Sequence, residues 1–204
     1  MHYVLSIMNY FVSLQSKIFL IMKKIYLFLA TGFQETEAIA PVTVCRKAGL
    51  DITTVSITGN LRVESALGVT VQADMLFEEV DFSDATMLVM PGGMPGSTNL
   101  YDFAPLRELI MQHYKAGKAL AAICAAPLIY GRMGLLRGVK ATCYPGCEDA
   151  QWDAIIIDKA AVTDGQFITG HGPGAALDFG YAIVDYLTGP DAVKKVKAGM
   201  VWPY

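Results

Sequence analysis

The stretch ALAAICAAPLIYG, residues 119–131, predicts the fold of this chain and a candidate site within it. Its first part, 119–123, is a short run of small and apolar residues, typical of a buried strand. Its second part has a helical pattern and carries Pro127 in the first turn, where proline is tolerated. Cys124 therefore lies at the junction between a predicted strand and a predicted helix.

The same alternation of strand and helix extends along the chain in both directions. Apolar runs or alternating patterns predict strands at 24–30, 51–57, 68–74, 85–90, 119–124, 140–145, 160–165 and 166–170. Patterns with helical spacing follow several of them, within 31–50, 104–119, 125–134, 174–189 and 190–199. Strands that alternate with helices predict an α/β fold with a mostly parallel sheet and helices on both faces.

Two local expectations concern single residues of the predicted helices. Pro41 indicates that the first helix is only just beginning at that residue, since proline is tolerated in a first helical turn. His113 lies on an amphipathic helix, and we expect it on the surface.

Composition excludes some classes of partner. The 204 residues are 53% hydrophobic and 17% charged, with a net charge of −3. A large core is expected, and the absence of a basic run argues against nucleic acid as a partner. The apolar segment 18–30 is interrupted by Lys23 and Lys24, so no run reaches the ~18 residues of a membrane-spanning helix. We therefore expect no membrane partner.

The N-terminal residues predict an extension to the domain. Residues 1–21 lack the basic beginning and the cleavage pattern of a signal peptide. We interpret them as an extension, which an upstream start codon would produce, and expect a single domain over 22–204.

The four cysteines are Cys45, Cys124, Cys143 and Cys147, and no two form a C-x-x-C pair. Together with His171, Cys143 and Cys147 are candidate metal ligands, but zinc sites usually have tighter paired spacing. We therefore predict no metal, reduced cysteines and a cytoplasmic location.

Cys124 has two interpretations of about equal weight on local sequence alone. A cysteine between a strand and a helix matches the strained turn that carries a catalytic nucleophile, and the helix N-terminus would favour the thiolate. Alternatively, Cys124 is a small buried hydrophobic residue, which is the usual role of a free cysteine.

Two further features lie at predicted strand or helix ends. Gly92 and Gly93 follow a strand, where glycine lets backbone N–H groups approach an oxyanion, or where a plain tight turn occurs. Glu37 is either an ordinary acidic residue of a first helical turn or, if it faces inward, a buried carboxyl with a raised pKa.

Five motifs together resemble the DJ-1/PfpI family, in the DJ-1/ThiJ branch of the class I glutamine amidotransferase-like superfamily. The resemblance extends from Met22 to the C-terminal region. The motifs are GFQETEA (32–38), VMPGG (89–93), AAICAAP (121–127), TCYPG (142–146) and GHGPGAALDFG (170–180). It implies a flavodoxin-like three-layer sandwich, no cofactor and a homodimer.

The resemblance also implies roles for single residues. Cys124 would be the reactive cysteine, and Glu37 the protonated carboxyl that hydrogen-bonds it. The backbone N–H groups of Gly93 and Ala125 would form the oxyanion pocket. Cys143 is a candidate resolving thiol, although a packed thiol is the favoured interpretation.

The chain departs from the family pattern at the positions where relatives carry a base. Tyr144 stands where some members have a histidine next to the site, and Ala125 stands where other branches have a histidine after the cysteine. His171 stands near the place where many relatives carry an arginine, and a structural or solvated role is favoured for it. Gly92, Tyr144 and His171 are candidate pocket residues. No Cys–His dyad is visible, so Glu37 or the thiolate must act as the base.

The implied function is that of a cysteine-dependent stress-protection protein. The first candidate activity is cofactor-free conversion of small 2-oxoaldehydes such as methylglyoxal, as a glyoxalase or deglycase. The alternative is a redox sensor or chaperone in which Cys124 is oxidised to a sulfinate. A link to thiamine (thiazole) biosynthesis is a weaker alternative.

Overall fold

The computed structural model describes residues 23–149 and 152–202, so the predicted extension over 1–21 lies outside the described residues. The longer strands are β1 (Lys24–Leu29), β2 (Asp51–Ser56), β6 (Ala85–Met90), β7 (Ala119–Ile123), β10 (Ala161–Asp164) and β11 (Phe167–Gly170). The shorter strands are β3 (Arg62–Glu64), β4 (Thr70–Gln72), β5 (Met75–Leu76), β8 (Lys140–Ala141) and β9 (Ile155–Ile156). The helices are α1 (Glu35–Lys47), α2 (Gly96–Asp102), α3 (Ala104–Lys115), α4 (Pro127–Arg132), α5 (Ala176–Thr188) and α6 (Pro190–Gly199).

Seven strands form one sheet in the order β10–β11–β7–β6–β1–β2–β5. All neighbouring pairs are parallel except β10 with β11. The central strands β1, β6 and β7 consist almost entirely of buried residues, because helices cover both faces of the sheet. The strands β3 and β4 form a separate antiparallel hairpin.

The helices divide into two layers. Helix α1 packs closely on α5, and α6 packs on both. On the other side, α2 contacts both α3 and α4, and α3 lies against β7. The predicted flavodoxin-like three-layer α/β sandwich is confirmed.

The order of the sheet determines where a site can form. After β1 the chain adds β2 on one side, and it then crosses to place β6 on the other side of β1. Crevices at the carboxyl ends of strands next to such a switch point are where ligands bind in open α/β sheets. The segments after β1, β6 and β7 carry Glu37, Gly92, Gly93 and Cys124.

The structure corrects the prediction for Pro41. Helix α1 begins at Glu35, where the side chain of Gln34 accepts the Thr36 N–H at 2.7 Å, so Pro41 lies in the helix interior. There it has no N–H to donate to the carbonyl of Glu37. The backbone of Gly180 on α5 packs against it: a Cβ added at Gly180 would lie 3.1 Å from the Pro41 Cα.

The prediction of a surface position for His113 is wrong. The residue is 4% exposed, and its Nε2 lies 3.3 Å from the carbonyl oxygen of Thr86. It follows Leu106 and Ile110 on the buried stripe of α3, where positions i, i+4 and i+7 share one face. Burial lowers the pKa of His113 to about 4.

The described part of the chain contains no helix that is both long enough and apolar enough to cross a membrane.

Candidate active site

Cys124 occupies a strained turn directly after β7. Its φ of +64° lies in the left-handed region, which residues other than glycine, asparagine and aspartate rarely adopt. Two backbone hydrogen bonds of 2.9 Å hold this turn: the Cys124 N–H donates to the Gly170 carbonyl, and the Tyr144 N–H donates to the Cys124 carbonyl. A strained backbone conformation that neighbouring segments hold in place is characteristic of functional positions.

Glu37 is the acidic partner of this cysteine. It lies in the first turn of α1 and is completely buried. Its Oε2 accepts the backbone N–H of Gly92 at 2.9 Å, and its carboxyl is hydrogen-bonded to the Cys124 thiol. Burial raises the pKa of Glu37 to about 7, although both of these hydrogen bonds act in the opposite direction.

Two backbone N–H groups point at the sulfur of Cys124. They belong to Gly93 and Ala125, the two residues that the family resemblance implied as an oxyanion pocket. Burial and the neighbouring Glu37 raise the pKa of the thiol, while these two N–H groups lower it. The Glu37 carboxyl and these two N–H groups therefore surround the thiol of Cys124, a residue that is only 7% exposed.

Gly92 is the spacer between the acid and the thiol. A Cβ added there would lie 2.6 Å from Oε2 of Glu37 and 2.7 Å from the Cβ of Cys124. Its carbonyl also accepts the N–H of Gln34 at 2.8 Å, so that Gly92 binds the beginning of α1 through both backbone groups. Only a residue without a side chain fits this arrangement.

The candidate pocket residues separate into two places. Tyr144 and His171 line one cavity of about 460 Å³, whereas Gly92 is buried with Glu37 and Cys124. The ring of Tyr144 is 48% exposed and lies close to Gly172, where an added Cβ would be 3.2 Å from it. His171 places Nδ1 3.0 Å from Oγ1 of Thr142. The cavity adjoins the cysteine through the Tyr144 backbone.

Sequence reasoning missed two contributors to the site. The Gly170 carbonyl, at the end of β11, fixes the Cys124 backbone. Cys147 is held beside the site by its N–H bond to the Tyr144 carbonyl, since the Tyr144 N–H donates to the Cys124 carbonyl. The turn sequence YPGC (144–147) could have indicated the position of Cys147, because such a turn folds the chain back on itself. In the structure the Cys147 N–H donates to the Tyr144 carbonyl at 2.9 Å.

The described residues contain no group of three or more His, Cys, Asp and Glu side chains with the geometry to hold a metal ion. All four cysteines are free thiols.

Comparison with known proteins identifies the family. The model of the DJ-1/PfpI family matches residues 23–186, which is well over half of the chain. The chain belongs to the DJ-1/PfpI family. Protein dj-1beta of Drosophila melanogaster is 30% identical over 184 residues, covering 89% of this chain and 98% of the relative.

Other DJ-1 relatives agree with this assignment. The Arabidopsis thaliana protein DJ-1 homolog B is 33% identical over 181 residues, which cover 88% of this chain and 41% of the relative. This chain therefore spans less than half the length of that relative. The solved structure of oxidized Toxoplasma gondii DJ-1 superposes with a TM-score of 0.83 at 29% identity, covering 89% of this chain and all of the other.

Proposed function

We propose that this DJ-1 family protein is a cysteine-dependent stress-protection enzyme that converts small 2-oxoaldehydes such as methylglyoxal to 2-hydroxy acids. The observation that carries the proposal is the buried Glu37 carboxyl, with a pKa of about 7, hydrogen-bonded to Cys124. An acid–base group that titrates near the working pH is suited to moving a proton in both directions.

The first step forms a covalent adduct. The Cys124 thiolate adds to the aldehyde carbon, and the carbonyl oxygen becomes the oxygen of a hemithioacetal. The N–H groups of Gly93 and Ala125, which already lie against the sulfur, stabilise the developing oxyanion.

The second step moves a proton between adjacent carbons. Glu37 as carboxylate removes the proton from the hemithioacetal carbon, which gives an enediol, and as carboxylic acid it returns the proton to the neighbouring carbon. The product is a thioester on Cys124. Water hydrolyses the thioester, releases lactate and regenerates the thiol, so that the net reaction adds one water to methylglyoxal.

The hydrogen bonds of Glu37 support this dual role. Oε2 accepts the Gly92 N–H, while Oε1 is buried and accepts no hydrogen bond from the described residues. A proton on Oε1 that is donated to the sulfur would stabilise the thiolate, and its transfer back would leave a carboxylate.

Lactate formation from methylglyoxal tests the proposal. We expect turnover by the wild type and by Cys45→Ala, which removes a buried thiol from α1, and background rates for Cys124→Ser and Glu37→Gln. Loss of one general acid–base group typically costs about 10²- to 10⁴-fold in rate. Wild-type turnover at the level of buffer alone would eliminate the enzyme proposal.

A redox sensor is the second candidate function. The same buried carboxyl and the same two N–H groups are suited to hydrogen-bonding the oxygens of a Cys124 sulfinate. In this case mild peroxide would add two oxygens to Cys124 in the wild type, and Glu37→Gln would lower the yield of that product.

We further propose that the protein is a cytoplasmic homodimer. Exposed apolar side chains on one helix and on the β3–β4 turn support an interface: Ile39 is 42% exposed, Leu67 74% and Val69 48%. Sedimentation of the wild type as a dimer and of Leu67→Asp as a monomer is the expected result, and a monomeric wild type would contradict it.

A further inference from the structure

The loop after β8 carries two further thiols beside the backbone of Cys124. The Tyr144 N–H donates to the Cys124 carbonyl and the Cys147 N–H donates to the Tyr144 carbonyl, both at 2.9 Å. Gly146, at a φ of +85°, lets the chain reverse within this turn. The loop therefore returns Cys147 toward the end of the sheet at which Cys124 lies.

The Cys147 thiol is partly buried and has acidic side chains around it. Burial raises the pKa of Cys147 most, and the charges of Glu148 and Glu37 raise it further. Glu37 is also the carboxyl that is hydrogen-bonded to Cys124. The two backbone hydrogen bonds through Tyr144 connect Cys147 to Cys124, so the two cysteines lie on neighbouring backbone segments at this edge of the sheet.

Cys143 is less suited to reach Cys124 than Cys147. It is 4% exposed, and its Sγ lies 3.9 Å from Oε2 of Glu148, to which the thiol donates. Cys147 is half-buried and lies at the end of a turn, outside the strands. Since a disulfide requires a Cα separation of about 4.4 to 6.8 Å, the thiol with more freedom to adjust is the better candidate.

We propose that Cys147 is the resolving thiol of Cys124, so that hydrogen peroxide converts the pair to a Cys124–Cys147 disulfide that a dithiol reductant later opens. The inference rests on Cys124 being the reactive thiol of the proposed function. It assigns to the site a reversible oxidised state in place of the sulfinate, which is irreversible in most proteins.

The chemistry balances in two steps. The Cys124 thiolate attacks one peroxide oxygen, the O–O bond breaks, and the departing hydroxide takes a proton to become water; the product is a sulfenic acid. The Cys147 sulfur then attacks the Cys124 sulfur, the S–O bond breaks, and a second water leaves. Two thiols lose two electrons and two protons, and the peroxide is reduced to water. A dithiol reductant supplies two electrons and two protons to restore both thiols.

The test is peroxide treatment of the reduced full-length protein, followed by blocking of free thiols and mass spectrometry of non-reduced peptides. The wild type should yield a linked peptide pair joining Cys124 to Cys147, two hydrogens lighter than the sum of its parts and absent after dithiothreitol. In Cys147→Ser the linked pair should be lost, and Cys124 should instead gain two oxygens.

Two controls separate this proposal from its alternatives. Cys45→Ala removes a thiol on α1 and should behave as the wild type does. Cys143→Ser should also retain the Cys124–Cys147 linked pair. The assignment would be overturned if Cys143→Ser gave no linked pair and Cys147→Ser gave a peptide pair that joins Cys124 to Cys143.

Failure of this inference differs from failure of the proposed function. Lactate formation together with peroxide oxidation of Cys124 to sulfinate, and no linked pair in the wild type, would overturn the resolving role alone. A Cys124 that reacts with neither peroxide nor methylglyoxal would overturn both.

Discussion

The backbone N–H of Gly92 donates to Oε2 of Glu37 at 2.9 Å, across 55 residues of sequence. The same glycine is so close to both Glu37 and Cys124 that an added Cβ would be 2.6 Å from this carboxyl oxygen and 2.7 Å from the Cβ of Cys124. The distance between acid and thiol therefore depends on the absence of a side chain at residue 92.

Gly92→Ala should abolish turnover of methylglyoxal, because a methyl group there forces Glu37 and Cys124 apart. Gly199→Ala is the matched control, since an added Cβ there meets nothing within 4 Å. We expect lactate formation to fall to background in Gly92→Ala and to be unchanged in Gly199→Ala. Equal rates in the two variants would show that the close contact at Gly92 does not position the pair.

The raised pKa of Glu37 predicts how stability depends on pH. Its value rises from 4.5 to about 7 on folding, so the folded state favours the protonated form. Protonation of Glu37 therefore adds to the free energy of unfolding. This stabilisation is fully present below pH 4.5 and is lost as the pH rises through 7, by at most about 1.4 kcal/mol for each pH unit in between. Glu37→Gln should therefore gain stability relative to the wild type over this range and keep a constant advantage above it.

Urea unfolding of both proteins across this pH range measures the effect. The exposed Glu108→Gln on α3 is the control and should run parallel to the wild type at every pH. Parallel curves for Glu37→Gln as well would contradict the burial of an ionisable carboxyl at this position.

The lowered pKa of His113 predicts a second effect of pH on stability, in a different pH range from that of Glu37. Its value falls from 6.5 to about 4 on folding, so the folded state favours the neutral ring. The stabilisation is fully present above 6.5 and is lost as the pH falls through about 4. In His113→Gln, urea unfolding should show a flatter pH dependence than the wild type between these two values. An unchanged slope would mean that the ring is protonated in the folded protein.

The left-handed backbone of Cys124 predicts an unusual effect of glycine. At a φ of +64°, glycine avoids a steric cost of about 1 to 2 kcal/mol that alanine retains, so Cys124→Gly should be more stable than Cys124→Ala. In strand β7, Ala122→Gly should instead lose about 0.5 to 1 kcal/mol. Chemical unfolding of the three variants and of the wild type gives both differences in the free energy of unfolding. A Cys124→Gly variant less stable than Cys124→Ala would show that the turn carries no strain.

Much of the fold could be predicted because its central strands are short, continuous apolar runs. The runs at 24–30, 85–90 and 119–124 correspond to β1, β6 and β7, the strands whose ends carry the candidate site. Local sequence patterns gave wrong predictions for two residues whose positions depend on tertiary contacts. Pro41 lies inside α1 against the close-packed backbone of Gly180, and the buried His113 ring has the Thr86 carbonyl as its partner.

The composition of the site was predictable only in part. A cysteine between strand and helix, and two glycines after a strand, indicate which loop ends matter, since parallel strands end at one edge. Nothing in local spacing places Tyr144 and His171 in one cavity, because that depends on how the loop after β8 folds over β11. For the same reason, the return of Cys147 toward the backbone of Cys124 became visible only in three dimensions.

The sheet order has a consequence for the newly made chain. Glu37 follows β1, Gly93 follows β6 and Cys124 follows β7, and β1 lies inside the sheet, between β6 and β2, although it comes first in the described chain. The sulfur thus acquires its hydrogen-bonding neighbours only after segments from both halves of the polypeptide have come together. A change in the alkylation rate of Cys124 as the chain folds would therefore report the completion of the central sheet.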